Sequence, residues 1–281
     1  MLLRTKLQSF LLMLIFGIGL VPLFYFASVE IGIVHAATDS TKSVANANDD
    51  PIGRYVENIA FGVGEKLSFD INYGFINAGT ATMEVNRLIE YEGRPCYQIV
   101  TLANSNSFFS SFYKVEDRAE SILDAIGMFS WRFEKNLREG SYRSDRQYSF
   151  DQRNHFTVYK EDTIEVASYV QDALSILYYL RTQELKIGTS MFIDNFVDGR
   201  KFTTEVKVLK KETIEVEAGS FDCFLVEPIM QSVGVFKHEG SLKVWLTDDR
   251  LKLPVLMKSK VLVGSISAEL TGYELGEIEE F

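Results

Sequence analysis

The two cysteines carry the most reactive side chains in this chain of 281 residues. In an oxidising compartment, a bridge between Cys96 and Cys223 would close a loop of about 127 residues and stabilise the fold by roughly 4–5 kcal/mol. The alternative is two buried thiols that pack as small apolar side chains. A cysteine nucleophile is not expected, because no histidine pattern accompanies either residue. The sequence leaves the disulfide and the packed thiols open.

Histidines and carboxylates form no recognisable metal site or catalytic centre. His35, His155 and His238 lack metal-ligand spacing to one another, to a cysteine or to a carboxylate. The 39 acidic residues are scattered, and no pair is singled out for acid–base catalysis. Asp248 and Asp249 lie between two predicted strands and are typical of a hairpin turn. We expect no catalytic residue, no metal and no cofactor.

Aromatic residues crowd into the segment SNSFFSSFYK, residues 105–114. In an extended chain, the aromatic side chains of this segment would fall on both faces. One face then belongs to the core, and the other can line a ligand cavity or a partner surface. We take Phe108 and Phe112 as candidate ligand-binding residues, with burial between sheet and helix as the alternative.

Basic residues outnumber acidic ones between Trp131 and Arg153, against the acidic trend of the chain. An arginine-rich strand pair suits lipid phosphates or an anionic glycan. The alternative is a solvated charge ladder across a hairpin. Arg143 is the candidate for a contact with a lipid headgroup.

The composition excludes several classes of protein. The chain is 46% hydrophobic and 24% charged, which is ordinary for a globular protein and unlike a disordered chain. Its net charge of -10 argues against nucleic acid as a partner, because binding to phosphates needs clustered basic residues.

The N-terminus is typical of an export signal. Arg4 and Lys6 precede an uncharged apolar run, residues 10–27, and small residues end at Ala36, where cleavage is expected. An uncleaved anchor is the alternative, because about 18 apolar residues can just span a bilayer. Both readings place the body in the periplasm, either free or tethered to the inner membrane. We divide the chain into a signal (1–36), a flexible linker (37–60), a single β domain (61–275) and an acidic tail (276–281).

Alternating apolar and polar residues predict the fold. In the segment from Lys66 to Tyr73, every second side chain is apolar, and similar segments recur along the chain between turn signals. Strands with one apolar and one polar face form antiparallel sheets. With roughly a dozen such strands, we predict a mainly β protein whose antiparallel sheet is strongly curved or barrel-like.

One covering helix is predicted over Asp172–Thr182, with Asp172 as its N-cap. Tyr178 on this helix is a candidate ligand contact, although core packing is the more common role of such a tyrosine. Trp245 is a further candidate, because it alternates with Val244 and Leu246 and should stand on the opposite face of its strand.

Several segments resemble one bacterial family, the domain of unknown function 3108 family. They are GEKLSFDINYGFINAGTATMEV, REGSY, DALSILYYLR, VEAGSFDCFLVEP and VWLTDDRLKLPVLMKSKVLVGSISAEL. The likeness runs from about residue 64 to residue 270. It implies an exported, mainly β protein of Gram-negative bacteria and supplies no catalytic residues.

We therefore expect a non-catalytic envelope protein that binds a lipid or another apolar ligand in a curved β body, under the helix as a lid. The alternative is an envelope assembly protein that recruits a partner chain along an exposed strand edge. A hydrolase acting on cell-wall or polysaccharide material ranks third.

Overall fold

The structure is a computed structural model that describes residues 52–231, 242–260 and 264–281. The predicted export signal and most of the predicted linker lie outside the described residues. The choice between cleavage and anchoring therefore remains a prediction.

Strands dominate the described residues, and two short helices interrupt them. The elements in chain order are β1 (Lys66–Tyr73), β2 (Ile76–Tyr91), β3 (Arg94–Ser105), α1 (Ser107–Ser110), β4 (Glu116–Asp124), β5 (Ser130–Glu139), β6 (Tyr142–Asp151), β7 (Phe156–Tyr159), β8 (Asp162–Glu165), α2 (Ser175–Thr182), β9 (Ser190–Val197), β10 (Arg200–Val216), β11 (Gly219–Gln231), β12 (Leu242–Thr247), β13 (Pro254–Lys260) and β14 (Ser265–Glu274).

All the described strands belong to one antiparallel sheet, ordered β8-β7-β6-β5-β4-β3-β2-β1-β14-β13-β12-β11-β10-β9. Successive strands pair with each other within each half of the chain, and the pairing of β1 with β14 joins the two halves. β8 and β9 are the edges of the sheet. The predicted antiparallel β architecture is confirmed.

The sheet curls until its two edges come together. Phe196 on β9 lies 5.4 Å, ring to ring, from Tyr148 on β6. Asp198, just after β9, forms ion pairs with Lys135 of β5 at 2.7 Å and Arg146 of β6 at 3.0 Å. Side chains therefore bridge a seam that the backbone ladder does not close. The predicted strong curvature is confirmed.

Bulges in the two longest strands contribute to this curvature. The register of β2 against β3 shifts between Val85 and Arg87, and that of β10 against β11 shifts between Val208 and Lys210. An extra residue in one strand of a pair bends that strand and increases its twist. Both bulged strands therefore help the sheet to wrap around the core.

The concave side of the sheet is filled with side chains. Leu67, Phe69 and Ile71 of β1 are buried, as the alternation predicts. They belong to one core cluster that also contains Val206 of β10 and Leu246 of β12. Residues from both halves of the sheet thus pack against each other across the interior.

The sheet has two ends, which we call the tip end and the base end. The tip end carries the β1–β2, β3–β4 and β5–β6 connections, and the base end carries the β2–β3 and β4–β5 connections. The chain enters β1 and leaves β14 at the base end.

Helix α2 covers the interior at the base end, which confirms the predicted covering helix. It begins at Ser175, three residues later than expected. The Asp172 carboxylate nevertheless accepts hydrogen bonds from the backbone N–H groups of Leu174, at 2.7 Å, and Ser175, at 2.8 Å. Tyr178 is fully buried, 4.8 Å from the ring of Phe61.

Residues on both sides of the predicted β domain make contacts with it. Ile52 is buried, and the backbone N–H of Val56 donates to Ile126, although the linker was expected to continue to residue 60. At the C-terminus, Glu279 accepts a hydrogen bond from the Tyr97 hydroxyl at 3.1 Å. Both segments pack on the base end of the sheet, and their local sequences do not reveal this contact.

Candidate functional site

The segment rich in phenylalanine lies at the tip end, in the β3–β4 connection, which we call the tip loop (residues 106–115). It was predicted as extended chain, but it contains the single turn α1. The Asn106 side chain caps this turn by accepting a hydrogen bond from the backbone N–H of Phe109 at 3.0 Å. An asparagine at this position favours the start of a helix, so the chain forms a turn and not the expected extended segment.

Two neighbouring connections are tied together at this end. The side-chain amide of Asn106 donates to the backbone carbonyl of Asn77 at 2.7 Å, and its backbone N–H donates to Ala78 at 2.9 Å. The tip loop is thereby joined to the start of β2, beside the turn that carries Phe75.

Large apolar side chains surround this junction, and we call them the aromatic tip: the exposed Phe75, Ile76, Phe108 and Phe112, and the half-buried Phe109. Phe75 is 106% exposed, Phe108 67% and Phe112 58%. The ring of Phe108 lies 5.5 Å from Phe109 and 5.6 Å from Phe112, in edge-to-face geometry. With Phe75 fully exposed and Phe108 and Phe112 more than half exposed, the aromatic tip protrudes into solvent.

Arg143 is the second residue of β6, directly after the β5–β6 turn that contacts the tip loop. The Gly140 N–H of this turn donates to the Lys114 carbonyl at 2.7 Å. The Arg143 guanidinium donates to the carbonyls of Gly140 and Tyr142, both at 2.8 Å, and its side chain is exposed. Among the ion pairs of the described residues, Arg143 takes part in none. The structure thus brings three of the predicted ligand-binding residues to one end: Phe108, Phe112 and Arg143.

The other two predicted ligand contacts lie elsewhere. Tyr178 belongs to the core at the base end. Trp245 packs in a separate cluster with Cys223 and Val255, and its Nε1 donates to Glu212 at 2.8 Å. It therefore stands on the opposite face from Leu246, as the alternation predicts.

A pair of buried carboxyl groups lies beneath the tip loop. Asp117 on β4 is 4% exposed and Glu139 at the end of β5 is 1% exposed. Burial raises the pKa of Asp117 to about 6 and, with the charge of Asp117, that of Glu139 to about 9. Each group also acts on the other, since Glu139 lowers the pKa of Asp117 and Asp117 raises that of Glu139, so the pair shares one proton near neutral pH.

Several oxygen atoms around this pair lack a hydrogen-bond partner among the described residues. They are Thr101 Oγ1, the Tyr113 hydroxyl, Asp117 Oδ2 and both carboxyl oxygens of Glu139. The other oxygen of Asp117 accepts the backbone N–H of Arg138 at 2.9 Å. A buried polar atom without a hydrogen-bond partner costs free energy, so the stability of this cluster under the tip loop depends on whether the carboxyl pair is protonated.

A hydrolase would need a carboxyl group with a raised pKa, such as those of Asp117 and Glu139. Neither residue lines the cavity that the structure describes. That cavity, of about 400 Å³, lies at the seam between the segment after β8 and strands β9 and β10. Its carboxylates are Glu165 and Asp194.

Of the two alternatives that the sequence left open for Cys96 and Cys223, the structure has two packed thiols and no bridge. Both cysteines are free and buried. Five strands separate β3 from β11 in the sheet, and the two thiols pack in different clusters. Burial raises the pKa of both thiols, that of Cys223 to about 12.

Two further observations concern metal-ligating side chains and membrane-spanning helices. In the part of the chain that the structure describes, no three or more metal-ligating side chains come together. Within the same residues, no helix has the length and apolar character required to span a membrane.

Sequence reasoning missed Phe75, Tyr113 and the Asp117–Glu139 pair. The signal for Phe75 is an apolar residue in a tight turn, directly after Gly74, whose φ is +61°. Asp117 takes an inward-facing position on β4, in alternation with the buried Val115 and Ala119.

The fold and this site define a class of protein, the mainly β proteins built on one curved, unclosed antiparallel sheet. Within that class, the chain belongs to the family described as "Protein of unknown function (DUF3108)", which matches residues 68–271. The family resemblance seen in the sequence is confirmed. A search of curated proteins finds no match.

The chain is also similar to solved structures, one of which shares its fold at a TM-score above 0.5. A β-barrel-like protein of domain of unknown function DUF1849 from Brucella abortus has a TM-score of 0.53 and 11% identity, over 78% of this chain and 100% of that chain. A candidate lipoprotein from Parabacteroides distasonis matches with a TM-score of 0.37 and 10% identity, over 79% of this chain and 99% of that one. A candidate exported protein with a YmcC-like fold from Bacteroides fragilis has a TM-score of 0.32 and 12% identity, again over 79% and 99%.

Proposed function

We propose that this protein is a non-catalytic periplasmic protein that docks on a lipid surface through its aromatic tip. The observation that carries the proposal is the exposure of Phe75, Phe108 and Phe112 at two connections that hydrogen bonds hold together. A small apolar ligand needs a concave site, whereas these side chains protrude into solvent. A bilayer accepts protruding apolar side chains, because its interface deforms around inserted side chains.

The energetics favour shallow insertion. Full burial of a phenylalanine side chain contributes about 1.5–3 kcal/mol, so three inserted rings contribute several kcal/mol against the entropy lost on docking. Arg143 belongs to the hairpin whose Gly140 is hydrogen-bonded to the tip loop, so on docking it would meet the lipid headgroups, where a phosphate can accept its N–H groups. The filled interior of the sheet supports this surface mode over a ligand held inside.

Vesicle flotation tests the proposal. We expect the protein without residues 1–36 to float with vesicles of phosphatidylcholine and phosphatidylglycerol. Replacement of Phe75, Phe108 and Phe112 by serine together should reduce the bound fraction by about tenfold or more. Phe192→Ser is the matched control, because Phe192 is 64% exposed on β9, away from the aromatic tip. An equal loss in the control, or no loss in the triple variant, would contradict the proposal.

The open edge of β9 supports a second candidate function, recruitment of an envelope partner by strand addition. In the sheet, β9 has β10 as its neighbour on one side, and Gln171 pairs in parallel with Asn195 on the other. The rest of this edge carries the exposed Phe192. A lysine in place of Phe192 would oppose strand addition, and it should abolish partner binding without affecting vesicle flotation.

A further inference from the structure

The tip loop is anchored at the buried carboxyl pair. Val115, the last residue of the loop, forms a backbone bridge with Glu139. Gly140, which follows Glu139, donates its backbone N–H to the Lys114 carbonyl and packs against the Tyr113 ring. A Cβ atom added to Gly140 would lie 2.9 Å from this ring. The Tyr113 hydroxyl is buried, and the charges of Glu139 and Asp117 raise its pKa. The Val115–Glu139 bridge and the Tyr113 side chain therefore both connect the tip loop to the carboxyl pair.

Charged groups around the pair only partly compensate its negative charge. Lys135 on β5 faces the pair but is bound to Asp198 at 2.7 Å. Arg138 on β5 gives its backbone N–H to Asp117, while its guanidinium is bound to Asp145 at 2.6 Å. Tyr113 faces the pair from the tip loop. An ionised carboxylate in this place lacks the hydration that it would have in water.

We propose that the Asp117–Glu139 pair is a proton-controlled latch for the tip loop, so that the loop is held closed when the pair is protonated and loosened when it ionises. The proposal rests on the function proposed above, because the loop carries Phe108 and Phe112. An ionised pair favours opening, since opening admits water to the charge. A neutral pair removes this demand and keeps the aromatic rings in their docking arrangement.

The two carboxyls give the latch two steps. Burial raises the pKa of Asp117 to about 6, so the pair releases its first proton in mildly acidic solution. The pKa of Glu139, raised to about 9, places the second ionisation in alkaline solution. Docking is therefore strongest below pH 6, intermediate at neutral pH and weakest above pH 9.

Flotation with phosphatidylcholine vesicles at several pH values tests the latch, because this lipid does not change its charge over the range. We expect the wild-type affinity to rise about fivefold between pH 7.5 and pH 5. Asp117→Asn should hold the acid-level affinity at both pH values. Glu139→Gln should keep the acidic step and lose the alkaline one.

Asp145→Asn is the control, because Asp145 is an exposed carboxylate on the same hairpin. It should keep both steps. If Asp117→Asn retains the acidic step, or if Asp145→Asn loses it, the latch is overturned. Amide hydrogen exchange of residues 106–115, corrected for the intrinsic effect of pH, gives a second readout. Protection that rises on acidification in the wild type, and not in Asp117→Asn, supports the latch even if no vesicle binds, and absence of this difference overturns it.

Discussion

Arg181 and Glu65, 116 positions apart in the chain, form a bidentate ion pair inside the protein. Nη1 lies 2.7 Å from Oε1 and Nη2 lies 2.6 Å from Oε2, and each side chain is 1% exposed. Arg181 also donates to the Ala60 carbonyl at 3.1 Å, which binds the segment before β1. This pair therefore fastens α2 to the start of the sheet at the base end.

Removal of one partner of this pair should destabilise the protein strongly. We expect Glu65→Gln to lower the free energy of unfolding by about 3–5 kcal/mol, because the guanidinium stays buried without its counter-charge. Urea denaturation measures the change. Glu184→Gln is the control, since Glu184 pairs with Lys186 on the surface and should contribute less than about 1 kcal/mol. Similar losses in both variants would contradict a special role for the buried pair.

The stability of the protein should fall as pH rises through the range of the carboxyl pair. Both groups have a higher pKa in the folded protein than in the unfolded chain, so the folded state binds more protons and loses stability on their release. For Glu139 this decline runs from about pH 4.5 to about pH 9, and for Asp117 from about pH 3.8 to about pH 6.

Glu139→Gln isolates this effect, because the amide keeps the shape and cannot ionise. We expect it to raise the free energy of unfolding at pH 8 by about 2 kcal/mol and to flatten the dependence between pH 6 and pH 9. Denaturation at pH 5 and pH 8 provides the comparison. A variant that is less stable than the wild type at pH 8 would show that the carboxyl is not held protonated.

The thiols should be unreactive in the folded protein. Cys96 and Cys223 are buried, and burial raises both pKa values, so little thiolate forms at neutral pH. We expect no rapid reaction with a thiol reagent before unfolding and reaction of both residues after it. The intact mass should correspond to two reduced cysteines, and a mass lower by two hydrogen atoms would indicate a bridge after all.

Gly140 should resist substitution. Its φ of +55° favours glycine, and an added Cβ would lie 2.9 Å from the Tyr113 ring. We expect Gly140→Ala to cost about 1–2 kcal/mol in thermal or urea unfolding and to weaken the tip loop. Gly272→Ala is the control, because no atom lies within 4 Å of its added Cβ. Equal effects at the two positions would remove the contact with Tyr113 as the cause.

Local sequence patterns predicted the strands and the helix well. The alternation in KLSFDINY corresponds to β1 at both ends, and the DALSILYYLRT segment contains α2. Both patterns report which face of an element meets the core, and this information is local. In the tip loop the same reasoning failed, because the Asn106 cap stabilised a turn in place of an extended chain.

Long-range contacts were beyond the sequence for a different reason. Alternation places Asp117 on one face of β4, but it does not show that Glu139 meets it or that Tyr113 covers both. These contacts depend on the register of neighbouring strands and on the path of the connection between them. Hydrogen bonds between Asn106 and Asn77 are likewise visible only when the two connections are adjacent.

The sequence by itself determined the fold class, the family and the face on which residues such as Trp245 stand, because residue periodicity and family motifs are properties of the linear chain. Only the tertiary structure separated Cys96 from Cys223 by five strands and gathered Phe75, Phe108 and Arg143 at one end. The physical reason is that strand order and curvature arise from packing of the whole core, and distant residues meet only after the sheet has curled.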